Sequence, residues 1–211
     1  MKERGIIFNS EMVRAILDGR KTQTRRIIKS VPATHSFHGW VMSSTCAKDE
    51  GKACWAIGDS PLLKEPIRLN CPLGKIGDRL YVRETYCEGR IDEYDAEHPL
   101  DRYLYVDQSS EGIVYKEMCI SDDVCIDEVV WKPSIHMPKK FARIWLDITD
   151  VRVERLNDIS ERDCVAEGVG SAFLRDYKKP QFQALWDAIY NNWDQNPWVW
   201  VIEFRKVQDE S

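Results

Sequence analysis

Apolar and polar positions change rhythm several times along the chain, and each rhythm predicts an element. Between Ser10 and Asp18 the residues Met12, Val13, Ile16 and Leu17 gather on one side of a short helical period. Ser10 suits the N-cap of that helix and Gly19 the position just past its end. Thr22 to Ile28 is rich in β-branched residues and reads as a strand. After the turn signal Gly77-Asp78, the residues Leu80, Tyr81, Val82 and Tyr86 predict another. From Ala142 to Leu156, Ile144, Leu146 and Ile148, then Val151 and Val153, alternate as in one long bent strand or two. Ser160 caps a short helix that reaches Glu167 and stops at Gly168. Pro180 opens the clearest helix, with Phe182, Leu185, Trp186, Ile189 and Tyr190 at helical spacing. Trp198 to Val207 closes the chain as a strand whose Trp198, Trp200, Ile202 and Phe204 share one face.

Two stretches break these rhythms. In 31–74 the residues Pro32, Gly39, Gly51, Gly58, Pro61, Pro66 and Pro72 punctuate the chain, which predicts a long excursion with one short hairpin. In 88–128 a partly ordered hairpin is expected around Tyr103 to Val106 and Ile113 to Tyr115. Four or five strands with three short helices make a mixed, barrel-like α+β domain. No internal repeat is visible.

Composition narrows the setting. The 211 residues suffice for one generous domain or two very small ones, and 43% hydrophobic with 31% charged residues is a globular balance. No apolar run approaches the roughly 20 residues that cross a bilayer, so no membrane partner is expected. The N-terminus lacks the apolar core of a secretory signal, and seven irregularly spaced cysteines do not form a disulfide framework. A cytoplasmic protein is expected. The net charge of −5 conceals an asymmetry. Residues 1–30 hold eight Lys/Arg against three Asp/Glu, whereas 88–128 holds three against thirteen. Local clusters of this kind matter more for partners than the total. Four of the eight tryptophans, Trp186, Trp193, Trp198 and Trp200, crowd towards the C-terminus, where an aromatic-rich core or binding wall must lie.

The segment Gly19-Arg20-Lys21-Thr22-Gln23-Thr24-Arg25-Arg26 is the most informative for chemistry. Read one way it is a solvated basic strand. Read the other, a lysine and two hydroxyls stand at a helix-to-strand corner, and a desolvated lysine can activate a threonine. Strict alternation puts Lys21 and Thr24 on opposite faces, so convergence requires the chain still to be turning from Gly19 to Thr22. Glu167 reads by itself as an exposed helix-terminal carboxylate. Glu84 follows a strand, facing the same cleft or pairing with a neighbouring Arg. Cys46, Cys54 and Cys71, with His35 and His38 nearby, have spacings that fit no zinc knuckle, and buried thiols are the expectation. His136 lines a pocket or bonds backbone. No phosphate loop, GxSxG or HExxH is present, and neither a metal nor a cofactor is expected.

Gly19-x-Lys21-x-x-Thr24-x-Arg26 resembles the signature of the ASCH family, whose members have a PUA-like β-barrel. The stretch Leu17 to Arg26 is similar, more narrowly, to the small bacterial N4-acetylcytidine amidohydrolases. In those enzymes a threonine nucleophile, a lysine base and a distant glutamate form the site. The resemblance puts Thr24 and Lys21 at the first two positions and, through Ile159 to Gly168, Glu167 at the third. Gly77-Asp78-x-Leu80-x-Val82 and Trp200-Val201-Ile202-Glu203-Phe204 also resemble family strands. The bacterial hydrolases are about half as long, so 31–74 and 88–133 look like insertions around a shared core. With Pro133 to Pro138 and Asn196 to Trp200, the whole chain resembles the longer ASCH proteins of bacteriophages and prophages.

The resemblance implies one PUA-like domain over 1–211 carrying two insertions. It implies an amidohydrolase acting on N4-acetylcytidine-like nucleosides through Lys21, Thr24 and Glu167. The alternatives are an RNA-binding or ribonucleolytic module and a phage accessory protein that binds a host protein through its acidic insertion. Arg20, Arg25 and Arg26, with Glu84, are the expected nucleic-acid or substrate contacts.

Overall fold

A computed structural model describes residues 1–32, 34–44, 46–58, 64–94, 103–169 and 178–207. In chain order the strands are β1 (Glu3–Ile7), β2 (Gln23–Ile27), β3 (Ser36–Trp40), β4 (Ala53–Ile57), β5 (Lys64–Leu69), β6 (Arg79–Arg83), β7 (Tyr86–Glu88), β8 (Arg90–Tyr94), β9 (Tyr103–Asp107), β10 (Ile113–Tyr115), β11 (Trp145–Arg155) and β12 (Trp198–Lys206). The helices are α1 (Ser10–Leu17), α2 (Lys116–Ser121), α3 (Glu161–Ala166) and α4 (Lys178–Tyr190), and short 3-10 turns occur elsewhere along the chain. The fold is mixed α+β, mostly sheet with few helices. The chain divides into two compact units, Met1–Lys2 with Arg20–Asp78 and Asp147–Arg205, and Glu3–Gly19 with Arg79–Leu146 and Lys206–Ser211.

In the first unit β12 lies between β11 and β2. β2 runs antiparallel to β12, with Thr24 opposite Ile202, Arg25 opposite Val201 and Arg26 opposite Trp200. Paired residues share a face. Ile27, Val199 and Val201 therefore face Leu156, Cys164, Phe182 and Trp186, the core beneath α3 and α4. On the opposite face Trp200 meets Trp55 and Trp40, ring centroids 5.8 and 6.0 Å away. Val199 through Ile202 are all buried, so β12 is covered on both sides. Each such side chain contributes about 1.5–3 kcal/mol on leaving water.

Several expectations need correction here. The segment 31–74 forms a three-stranded antiparallel sheet, β3-β4-β5, where one hairpin was expected. Its central strand, Ala-Cys-Trp-Ala-Ile, is buried on both faces and so carries no alternation to detect. The described part of α4 already includes Lys178 and Lys179, so Pro180 does not open the helix. The Lys178 amide donates to Glu161 Oε2 at 3.1 Å. Phe182 and Trp186 are buried as the periodicity predicts, while Ile189 is exposed.

In the second unit β1 pairs parallel with β6, Gly5 opposite Tyr81. α1 is capped by Asn9 rather than Ser10, because the Asn9 side chain reaches the Met12 amide at 2.8 Å. It stops as expected, with Gly19 in the left-handed region at φ 73°. The expected pairing of Tyr103–Val106 with Ile113–Tyr115 does not occur. β9 pairs with β8 and β10 with β7. β8, Arg-Ile-Asp-Glu-Tyr, is too polar to announce itself as a strand, yet its Ile91 meets Val106. Cys87, Val114, Cys119 and Val124 form the core under these ribbons. In neither unit do the described strands close into a barrel.

Candidate functional site

The first unit holds a cluster of charged side chains gathered from three elements. β2 supplies Gln23 and Arg25, with Lys21 just before it, and β11 supplies Arg152 and Glu154. α3 supplies Asp163 and, as its C-cap, Glu167. Local chemistry holds α3 in place. Ser160 and Asp163 form a capping box, and Gly168 at φ 87° turns the chain away after Glu167. The Thr22 amide donates to the Ala166 carbonyl at 2.8 Å, which ties the start of β2 to the end of the helix.

Lys21 Nζ donates to the Glu167 carboxylate (Oε2, 3.0 Å) and to the Glu167 carbonyl (2.7 Å). Arg25 donates to the other carboxylate oxygen, Oε1, at 3.1 Å and to Glu154 at 2.8 Å, and it lies 3.5 Å from Asp163. The side chains of Lys21 and Arg25 are wholly buried, and that of Glu167 is 5% exposed. Glu167 is therefore not the exposed carboxylate that its sequence suggests. Gln23 donates to Asp163, and Arg152 ties Glu154, Asp163 and Glu203 together.

Burial pushes the Lys21 ammonium below its ordinary value. Glu167 pulls in the other direction, and the charges of Arg26 and Arg25 add to the lowering. The charge balance explains why Lys21 is the group that can yield a proton. Arg25 also binds Glu167, so that carboxylate keeps a cationic partner when Lys21 is neutral. Burial also raises the Asp163 carboxyl, but Ser160, Arg25 and Gln23 outweigh it and leave Asp163 below its ordinary range. The Cys164 thiol is pushed up to about 11 by burial and stays protonated.

Thr24 sits on the other face of β2, sharing it with Ile202 and Trp200. It is buried, and its Oγ1 accepts from Arg26 Nη1 at 2.8 Å. One acceptor site of the hydroxyl is thus filled by a cation, while its proton is left for another partner. The structure brings Lys21 to Glu167 directly and fastens Thr24 to Arg26.

The other candidates fall elsewhere. Arg20 is exposed and Arg26 half-buried, whereas Arg25, expected to meet phosphate or substrate, is committed to three carboxylates in the interior. Glu84 belongs to the second unit, where Arg143 donates to both its oxygens at 2.8 and 3.0 Å. His136 is exposed, Cys46 is exposed, and Cys54 and Cys71 are buried. Among the described residues no group of three or more His, Cys, Asp or Glu is placed to hold a metal ion, and no helix is long and apolar enough to cross a membrane.

Sequence reasoning missed Gln23, Arg152, Glu154, Asp163 and Glu203. One signal was present: Ser160-x-x-Asp163 is a capping-box spacing, which aims Asp163 back at the helix start. Comparison with protein-family models, characterised proteins and solved structures finds no match to this chain.

Proposed function

We propose that the chain is an amidohydrolase with an ASCH-like, PUA-related core that removes the acyl group from N4-acetylcytidine-like nucleosides. The observation that carries this reading is the buried contact of Lys21 with Glu167, two of the three positions that the resemblance implies. A lysine whose pKa is lowered by burial is a competent base for a threonine hydroxyl. Thr24 also shares its sheet face with Trp200, against which Trp40 and Trp55 pack, and aromatic faces suit a planar base.

In the proposed cycle the neutral Lys21 amine takes the Thr24 proton as Oγ1 attacks the exocyclic amide carbonyl. The new C–O bond leaves a tetrahedral oxyanion, and Arg26 supplies positive charge beside Thr24 as it forms. Collapse breaks the C–N bond, and the leaving amino group receives the proton from Lys21. Water, deprotonated by the same amine, then attacks the acyl-threonine; acetate departs and the Thr24 hydroxyl is restored. The cycle requires Lys21 Nζ to leave the Glu167 carboxylate and reach Thr24 Oγ1 on the other face of β2, and Glu167 holds the base before that step.

The test is conversion of N4-acetylcytidine to cytidine by purified protein without added metal. Thr24→Ala should abolish turnover while its circular dichroism stays unchanged. Turnover that persists in Thr24→Ala, or that EDTA removes, overturns the mechanism. Interior commitment of Arg25 leaves few of the expected phosphate contacts, so RNA should bind weakly at physiological salt. A submicromolar RNA affinity that falls steeply with salt would transfer the assignment to RNA binding.

A further inference from the structure

The second unit contains a cleft of about 330 Å³ whose lining includes the apolar Ile7, Phe8 and Val13 and the charged Glu84, Lys116 and Glu117. Its two carboxylates are both only 3% exposed but differ in their partners. Glu84 is satisfied at both oxygens by Arg143, whose guanidinium lies 4.4 Å over the Tyr115 ring. Glu117 accepts from Arg14 Nε through Oε1 at 2.8 Å, and its Oε2 has no hydrogen-bond partner among the described residues. Arg14 is 45% exposed, so water screens its charge and it offsets Glu117 less well than Arg143 offsets Glu84. A buried carboxylate oxygen without a donor is costly and uncommon in native folds. Here the same residue lines a cleft large enough for a small molecule.

We infer that this cleft binds a small ligand presenting two adjacent N–H donors to the Glu117 carboxylate. A guanidinium or amidinium group has this planar fork, and so does the amino edge of a guanine-type heterocycle. The two oxygens of a carboxylate match such a fork, and the bond to Oε1 from Arg14 leaves a second lone pair there. Ile7, Phe8 and Val13 in the lining supply apolar contact for the flat face of the ligand. A bare divalent cation fits poorly, because Arg143 already neutralises Glu84 and Glu117 alone is too few ligands.

The full chain is titrated by calorimetry with benzamidinium and, separately, with guanosine, which distinguishes a charged fork from a neutral heterocycle edge. At least one probe should bind with a dissociation constant below about 1 mM. Glu117→Gln, which exchanges one acceptor oxygen for a competing donor, should weaken that binding about tenfold or more. Ser134→Phe, at a half-buried position lining the cleft, should block binding with Glu117 intact, and it decides the matter if Glu117→Gln does not fold. Absence of binding by both probes up to about 5 mM overturns the inference. So does affinity undiminished in a folded Glu117→Gln, or retained in Ser134→Phe.

Discussion

Lys21 Nζ stands 3.0 Å from Glu167 Oε2 across 146 residues of sequence. The opposite oxygen of that carboxylate belongs to Arg25, at 3.1 Å, so one buried anion serves two buried cations of unequal kind. Burial lowers the pKa of the Lys21 ammonium, and an amine gives up its proton far more readily than a guanidinium does. The two ends of the cluster should therefore respond differently to substitution.

Glu167→Gln leaves the Arg25 charge in the interior with only its partly exposed partners Glu154 and Asp163. Breaking a buried pair in this way costs about 3–5 kcal/mol. Lys21→Met keeps the Arg25–Glu167 balance and much of the side-chain volume, so it should cost less than half as much. Urea denaturation of the two variants checks the order. Equal losses would mean that Lys21 is charged in the native state and that its ammonium is structural.

Because burial lowers the folded-state pKa of Lys21, the unfolded chain binds more protons between that lowered value and the ordinary 10.5. Stability should rise with pH through this window and level off above it, and the same contribution is lost as pH falls through the folded-state pKa. Turnover should rise over the lower part of the window as the amine becomes neutral. Lysine-selective NMR titration of Nζ measures the midpoint, and Lys21→Gln should delete its share of the stability slope. A Lys21 midpoint above 10.5 would contradict the base assignment.

Ser160→Ala removes the side-chain half of the capping box at α3, since Ser160 Oγ accepts from the Asp163 amide and donates to its carboxylate, and it keeps the half in which the Ser160 amide donates to Asp163. A loss of about 1 kcal/mol is expected, equivalent to roughly 2–4 °C in Tm for a chain of this size. Turnover should fall by more than the lost stability accounts for, because α3 also carries Glu167. Calorimetry and initial rates on the same preparation separate the two effects.

Trp40 is 37% exposed and rests on Trp200, on the sheet face that Thr24 shares. If that face stacks the nucleobase, Trp40→Ala should raise KM by about 5- to 100-fold, the equivalent of one base stack, with little change in kcat. An unchanged KM would place the base elsewhere. Steady-state kinetics on both proteins decides.

Local elements were legible because their signals are local. Gly19 and Gly168 end helices through their freedom at positive φ, and Ser160 caps α3 through a side chain three residues from its partner. β11 and β12 were visible in the alternation of Ile144, Leu146 and Ile148 and in the apolar run from Trp198. β4 and β8 were not, since burial on both faces erases alternation in one and charged residues mask it in the other. Strand partners in the acidic segment escaped for a related reason: β9 and β10 lie close in sequence, but each completes its backbone hydrogen bonds with a different neighbour.

The amino-acid sequence by itself determined that Lys21 and Thr24 stand at a helix-to-strand corner, and only the resemblance implied that Glu167 joins them. The sequence also determined that a turning glycine precedes Lys21 and that a helix ends at Glu167. Only the tertiary structure decided that Arg25, one residue from Thr24, points to the opposite face and is buried against three carboxylates. The physical reason is that a charge's role depends on its solvent exposure and on the charges folded against it. Both are set by contacts some 130 to 150 positions distant, as between Arg25 and Glu154 or Lys21 and Glu167.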